Sequence, residues 1–379
     1  MKGEINMKEK SLYIHIPFCK QKCLYCDFTS FVHREEFMDD YIEALSSELL
    51  LYKDNIFKTV YIGGGTPTFL NIKNLNKLSK VIGKLKLTED VEFSCEGNPG
   101  TFTEEKLRIL KAMGVNRLSI GLQSFDNGLL KILGRIHDAD EFLKSFNMAR
   151  NEGFNNINID IMFGLPNQKI DDLKDTLEKV IKLNPEHISA YSLIVEEGTP
   201  FYKLYEDRKS LPTEEEEREM YNYILESLKK NSYFQYEISN FSKPNKECLH
   251  NIVYWDLKEY VGCGLGAHSF LNQTRRENTH NIKEYMECLR QNRYPIIEEH
   301  KNTKKDSMEE FMFMGLRKIK GVNKEKFYEN FKMYIEDVYK EVIDKYKRLN
   351  LLEEDKQYLR LTKRGIELSN VVMADFILD

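Results

Sequence analysis

The sequence predicts an α/β protein: a partial (β/α)6-type barrel followed by a small, mainly helical, winged-helix-like C-terminal domain. Three observations predict it. Short β-rich runs alternate with segments of helical periodicity, the pattern of βαβ units on a parallel sheet. Glycine-, proline- and polar-rich motifs follow the strand runs, where sites gather in such sheets. That punctuation thins after about residue 290, where helical patterns take over.

The strand runs lie at 12–16, 59–62, 91–95, 117–121, 156–162 and 187–193, with a weaker one at 234–238. Helical periodicity fills 39–52, 75–85, 104–113, 139–152 and 171–183. Six such units suit an open barrel, with a flat doubly wound sheet as the alternative. Farther on, 308–319 and 323–349 read as helices, 351–354 and 358–361 as a hairpin, and 363–377 as a closing helix. The expected division is a barrel domain with its extension over 8–289 and a C-terminal domain over 290–379. Thr213 to Glu216 reads as a helix capping box.

Composition narrows the function classes. The chain has 379 residues, 41% hydrophobic and 31% charged, the balance of a globular protein with ample core. No run of 18 uncharged apolar residues occurs, so no membrane span is expected. Residues 1–10 are polar, with no apolar leader. A cytoplasmic location follows as the expectation. The net charge of −5 argues against a strongly basic nucleic-acid binder. Residues 290–379 carry 19 basic and 17 acidic side chains, so a structural or partner-docking role is expected there rather than DNA binding. Seven cysteines is an odd number, and three fall between positions 19 and 26, which reads as metal or redox chemistry rather than a disulfide framework.

Cys19, Cys23 and Cys26 form a C-x3-C-x2-C loop directly after the first strand run. Three thiolates on one short loop hold a soft metal centre. A structural zinc site normally takes four protein ligands, and the nearby fourth candidate, His15, sits inside a strand run. A four-iron cluster normally takes four cysteines, so three would leave one iron open. The spacing favours the cluster, with zinc as the alternative. Gly63, Gly64 and Gly65 follow the second strand run and permit close backbone approach to a ligand. No Gly-Lys-Ser/Thr follows, so this is not a P-loop. Taken singly, Glu96 and Asp160 could be loop caps and Arg135 a surface ion-pair residue. Cys95 and Cys288 read as small buried hydrophobes, Cys248 with His250 as a second metal-binding possibility, and Trp255 as core.

The cysteine loop and its surroundings resemble the radical S-adenosylmethionine (SAM) superfamily. That resemblance implies a [4Fe–4S] cluster whose open iron is chelated by SAM, and an electron donor that reduces it. Further motifs occur in order: Tyr13-Ile14-His15-Ile16-Pro17-Phe18-Cys19, Gly63 to Thr68, Glu96-Gly97-Asn98-Pro99-Gly100, Gly121-Leu122-Gln123-Ser124-Phe125, Leu133-Gly134-Arg135, Asp160 to Pro166, Tyr236 to Phe241 and Gly264 to Ser269. Over essentially the whole chain they resemble the oxygen-independent coproporphyrinogen III oxidase family. Two departures separate this chain from the decarboxylating dehydrogenase. Phe28 stands where that enzyme has a further cysteine, and the long N-terminal extension is not seen. Cys26-Asp27-Phe28 and His250-Asn251-Ile252-Val253-Tyr254-Trp255 instead resemble the haem chaperone branch of that family.

The resemblance assigns roles by position. Cys19, Cys23 and Cys26 are cluster ligands. Tyr13, Gly64 and Glu96 fall on the first SAM site. Tyr25, Gly65, Thr66, Gln123, Arg135 and Asp160 fall on positions that contact a second SAM in the dehydrogenase, and Ser192 and Phe270 on weaker matches. His250 is the haem candidate, expected in a loop, with Tyr254 and Trp255 as an aromatic wall. The implied function is to bind haem and deliver it to haem-acceptor proteins, membrane-associated ones among them, without coproporphyrinogen III dehydrogenase activity. The alternatives are that dehydrogenase activity itself and a radical SAM reaction on another tetrapyrrole.

Overall fold

The computed structural model describes residues 9–378. Residues 1–8, to which the absence of an apolar leader and the start of the first domain were assigned, lie outside the described residues, as does residue 379.

Six β/α units build the first part of the chain. They are β1 (Lys10–Ile16), α1 (Met38–Leu51), β2 (Ile56–Gly64), α2 (Ile72–Ile82), β3 (Lys86–Gly97), α3 (Glu104–Met113), β4 (Arg117–Gln123), α4 (Asn127–Ile132), α5 (Ala139–Asn151), β5 (Ile157–Phe163), α6 (Ile170–Leu183) and β6 (His187–Ser192). Consecutive strands β1 to β6 pair in parallel, as alternating strand and helix require. Local chemistry sets the helix ends. Thr103 accepts the Lys106 N–H at the start of α3, and Gly114 closes it in the left-handed conformation.

The chain continues through α7 (Pro200–Leu204), α8 (Glu214–Lys230), β7 (Phe234–Glu237), β8 (Asn240–Ser242), α9 (Leu249–Trp255), β9 (Tyr260–Cys263), β10 (His268–Leu271), β11 (Thr274–Asn278), α10 (Ile282–Arg290) and β12 (Ile296–Lys301). Thr213 and Glu216 form the expected capping box on α8. The sheet order is β12-β11-β10-β9-β1-β2-β3-β4-β5-β6-β8-β7. β9 extends it beyond β1 in parallel, and β8 caps β6 antiparallel. β1 therefore pairs with β9 and not with β6, so the barrel stays open.

Strand alternation separates two faces. Leu12, Ile14, Val60, Ile62, Phe93, Leu118, Ile120, Ile157 and Ile159 join helix residues such as Leu45, Leu78, Leu110 and Leu177 in one buried core. The other face is polar and bonded to itself. Asn158 Nδ2 donates to Asp160 Oδ1 at 2.7 Å, Ser119 Oγ to Asp160 Oδ2 at 3.2 Å, and Thr59 Oγ1 to Ser11 Oγ at 2.8 Å.

A second core forms after residue 301. Its elements are α11 (Lys304–Gly315), β13 (Val322–Asn323), α12 (Lys324–Phe331), α13 (Ile335–Arg348), β14 (Leu352–Glu354), β15 (Tyr358–Leu361), α14 (Lys363–Glu367) and α15 (Ser369–Ala374). Met312, Phe327, Ile335, Tyr339, Leu359 and Phe376 fill it. The strands pair β13-β15-β14, the helix-and-wing layout expected.

Three expectations need correction. The helix expected over 323–349 is two helices, because Lys332 turns left-handed (φ 55°) after α12. The closing helix expected over 363–377 breaks at Leu368. The boundary expected at 290 falls at the last residue of α10, and β12 still pairs with β11 in the large sheet. The two parts meet through backbone bonds Ile238 N–H to Arg317 O and Ile319 N–H to Tyr236 O, both 3.1 Å, and a Lys318–Asp256 ion pair. Among the described residues no helix is long and apolar enough to cross a membrane.

Glu48 of α1 ties the edge of the sheet to the helices. Its fully buried carboxylate accepts from Gly264 N–H (2.7 Å), Asn278 Nδ2 (2.7 Å) and Tyr285 OH (2.5 Å). Glu48→Ala leaves the buried Gly264 N–H and Tyr285 hydroxyl without an acceptor, while Asn278 Nδ2 keeps Gly264 O at 2.9 Å, and is expected to destabilise the fold by about 2 kcal/mol or more. Urea unfolding checks this, and a change under about 1 kcal/mol would contradict the bracing role.

Candidate functional site

Motifs at the C-terminal ends of the strands converge on a cavity of about 380 Å³ at the barrel mouth. Cys19, Cys23 and Cys26 line one side, with Tyr25 and Phe28. Gly64 ends β2 and Gly65 follows it, Glu96 and Gly97 end β3, Gly121 and Gln123 end β4, and Met162 and Tyr191 come from β5 and β6. Arg135 and Asp160 also line it.

Backbone bonds pin the cysteine loop. Cys19 N–H donates to Phe31 O (2.9 Å) and Leu24 N–H to Leu133 O (3.1 Å), while Gln21 Nε2 reaches Gly134 O at 2.8 Å. The Leu133-Gly134-Arg135 motif is thus the shelf on which the loop rests. Gly65 N–H donates to Ile16 O (2.8 Å) and Thr66 N–H to Phe18 O (2.9 Å), drawing the glycine run against the end of β1. Added Cβ atoms show why glycine is needed here. At Gly65 a Cβ would stand 2.9 Å from Cys19 Sγ and from Phe18 O, and at Gly64 (φ 110°) 2.6 Å from the His15 ring. The glycines serve close packing beneath the cysteines, and a larger residue at Gly64 meets His15.

Two carboxylates face inward, so the alternative reading of them as exposed loop caps fails. Glu96 accepts from Tyr61 OH (2.8 Å) and from Gly64 N–H (3.1 Å). Burial pushes its carboxyl up to about 7, although both hydrogen bonds favour the anion. Burial likewise raises Asp160 against its Asn158 and Ser119 bonds. Arg135 is half-buried and bonded into the wall rather than a surface ion-pair residue. Its Nη1 lies 3.4 Å from Cys23 Sγ, and its Nη2 donates to Gly121 O at 2.6 Å and to Asn98 Oδ1. Thr66 stands behind Cys19, with its Oγ1 3.5 Å from the sulfur. Burial raises the Cys19 and Cys26 thiols.

All seven cysteines are free thiols. Among the described residues no three His, Cys, Asp or Glu side chains close around a single metal ion. Three thiols from one loop, two of them facing fixed hydrogen-bond donors, fit the thiolate ligands of a three-cysteine [4Fe–4S] cluster. Asp160, Glu96 and the backbone of Gly64 and Gly65 offer the beside-lying cavity a polar wall that suits a SAM molecule.

Other expected residues lie elsewhere. Tyr13 does not line the cavity: its OH bonds His15 Nδ1 at 3.0 Å, and its ring stacks 6.3 Å from Tyr61. Ser192 bonds Glu217. Phe270 packs with Val253 and Tyr260 away from the mouth. His250 is in α9 and not in a loop, and it is 1% exposed. Its Nδ1 pairs with Thr59 Oγ1 (2.8 Å), its Nε2 with Tyr254 OH (2.9 Å), and its ring stacks on Tyr61 at 5.2 Å. Burial, then the nearby Arg117 charge, lowers it to about 3, so it is neutral. As placed, neither ring nitrogen is free. Cys248 is buried against Glu92, whose carboxylate caps α9, and is no metal ligand here. Trp255 lies under the Arg317 guanidinium at 4.6 Å, at the joint between the two parts.

Sequence reasoning missed Tyr61, Asn98, Ser119, Met162 and Tyr191 in the cavity wall. Four of these are inward alternates on their strands, two residues from another inward polar or glycine position, so period-two reading of each strand would have found them.

The Radical SAM superfamily model matches residues 13–180, and the HemN C-terminal domain model matches residues 302–368. The haem chaperone HemW of Bacillus subtilis is 40% identical over 375 residues, covering 97% of this chain and 99% of that protein. HemW of Lactococcus lactis is 39% identical over 376 residues, 98% of each chain. The solved structure of the Escherichia coli coproporphyrinogen III oxidase HemN, described as a radical SAM enzyme, superposes with a TM-score of 0.85 over 97% of this chain and 90% of that one, at 23% identity, which speaks for the fold. Fold and cysteine-lined cavity define a radical SAM protein. Within that class the chain belongs to the haem chaperone HemW family.

Gly65→Ala is expected to force Cys19 and the Phe18 carbonyl aside and to destabilise the chain by about 1–3 kcal/mol. Thermal unfolding of the metal-free protein checks this; an unchanged midpoint would show that the loop has room to spare.

Proposed function

We propose that the protein is a haem chaperone that binds haem and passes it to haem-acceptor proteins, with a [4Fe–4S] cluster on Cys19, Cys23 and Cys26 and SAM in the adjoining cavity. The observation that carries this reading is the near-full-length similarity to haem chaperones, together with the cysteine-lined cavity at the barrel mouth. Phe28 supports the chaperone over the decarboxylating reading: it is 63% exposed at the cavity mouth, at the position where the dehydrogenase has a further cysteine.

A bound cluster would supply one-electron chemistry and an open iron for SAM. This chain's own residues do the rest. Glu96 and Asp160 present carboxylate oxygens to hydroxyl or ammonium donors, Tyr61 and Gly64 orient Glu96, and Arg135 offers a fixed cation. The proposed SAM contacts are Gly64, Gly65, Glu96, Gln123, Tyr25, Arg135 and Asp160, with Tyr13 and Thr66 acting from behind the wall.

Protein purified without oxygen is expected to hold about four irons and four sulfides, and none after replacement of Cys19, Cys23 and Cys26 by Ala. Stoichiometric zinc without sulfide would refute the cluster. SAM affinity, measured by calorimetry, is expected to tighten as pH rises through about 7, since Glu96 ionises there and its carboxylate accepts from SAM. Glu96→Gln should flatten that dependence, and an equally steep profile in the variant would remove Glu96 from the site.

The decisive experiment is an anaerobic haem titration of the reconstituted protein, with coproporphyrinogen III and SAM in a parallel arm. Saturable haem binding without decarboxylation is expected. Absence of haem binding overturns the chaperone reading, and decarboxylation establishes the dehydrogenase in its place. His250→Ala tests the haem candidate, with His268→Ala as an exposed control. For iron ligation His250 must give up Thr59 or Tyr254. A shifted absorption spectrum in His250→Ala alone is expected, and identical spectra would take His250 off the iron.

A further inference from the structure

The cavity aims two fixed donors at cysteine sulfurs, and one of them is a half-buried cation. Arg135 cannot swing away, because Nη2 is tied to Gly121 O at 2.6 Å and to Asn98 Oδ1 while Nη1 faces Cys23 Sγ at 3.4 Å. Among the described residues it forms no ion pair with a carboxylate, and its buried Nε has no partner. A half-buried guanidinium with its Nε sealed from solvent and no counter-charge is costly. The anion facing it is the Cys23 thiolate that a cluster requires. On the other side of the loop the Thr66 hydroxyl faces Cys19 Sγ at 3.5 Å.

We infer that Arg135 is a positioning residue whose guanidinium serves as counter-charge to the Cys23 thiolate and raises the reduction potential of the cluster, with Thr66 acting in the same sense, more weakly, on Cys19. The inference rests on the cluster reading above. Reduction adds one electron to a group already carrying thiolate charge. A cation and a hydroxyl held against the ligand sulfurs stabilise the reduced form more than the oxidised form, and hydrogen bonds to the sulfurs are among the terms that set such potentials. This role is separate from the SAM contact that the resemblance implies for Arg135, and it operates before SAM binds.

The test is a potentiometric titration of the reconstituted full-length protein, followed by electron paramagnetic resonance and carried out without SAM. Wild type is compared with Arg135→Gln, Arg135→Lys, Thr66→Val and Thr66→Ser. Arg135→Gln is expected to shift the midpoint negative, so that the reduced-to-oxidised ratio at a fixed applied potential falls about tenfold, equivalent to about 59 mV for a one-electron couple. Arg135→Lys should fall between the two. Thr66→Val should shift less in the same direction, and Thr66→Ser should restore the wild-type value. Unmoved midpoints in Arg135→Gln and Thr66→Val, with wild-type iron and sulfide content, overturn the inference and leave the cluster reading standing. If Arg135→Gln does not assemble a cluster, Arg135→Lys and Thr66→Val decide it by the same criterion. A wild type without sulfide-bound iron overturns the cluster reading and this inference together.

Discussion

Two backbone hydrogen bonds, from Gly65 to Ile16 and from Thr66 to Phe18, hold the end of β2 against the end of β1, and the mouth of the barrel is built on that contact. The chains approach so closely that no Cβ fits at Gly65 beside the Cys19 sulfur. Because Thr66 follows directly, its hydroxyl is delivered to the same sulfur, and because Gly64 precedes, its N–H is delivered to Glu96. Cysteine loop, threonine donor and inward carboxylate are thus placed by one seam.

The polar inner face of the sheet is the second constraint. An open barrel cannot fill its interior with helix-facing side chains, so the inward residues must satisfy one another. Tyr61 shows the consequence: its hydroxyl orients Glu96 at the mouth while its ring stacks on His250 of α9. α9 in turn ends at Trp255 and Asp256, which meet Arg317 and Lys318 of the C-terminal part. The His250 to Trp255 segment therefore lies between the barrel interior and the second core, and the cysteine loop lies at the mouth.

Much was legible beforehand because it is local. The strands from β1 to β6 announced themselves by β-rich runs, the start of α8 by the Thr213–Glu216 capping box, and the three cysteines by spacing on one loop. Misreadings came where a distant contact decides. The run over 323–349 has continuous helical periodicity, yet it bends at Lys332 so that Phe331 and Ile335 enter the same core. β10, β11 and β12 are short, β11 and β12 are charged, and only pairing to one another and to β9 makes them strands. His250 looked like a loop residue because Cys248-Leu249-His250-Asn251 has no helix signal strong enough without Glu92, which is 158 residues earlier and supplies the cap.

The sequence by itself determined the alternation of strand and helix, the three-thiol loop, and the glycine and acidic motifs that end successive strands, since each depends on neighbours within a few residues. Only the tertiary structure decided that Arg135 faces a cysteine sulfur instead of solvent, that Tyr61 and Tyr191 join the cavity, that Tyr13 stands behind it, and that both nitrogens of His250 are engaged. Those outcomes depend on which inward positions of separate strands meet once the sheet curves, and a linear pattern of residue types carries no information about that curvature.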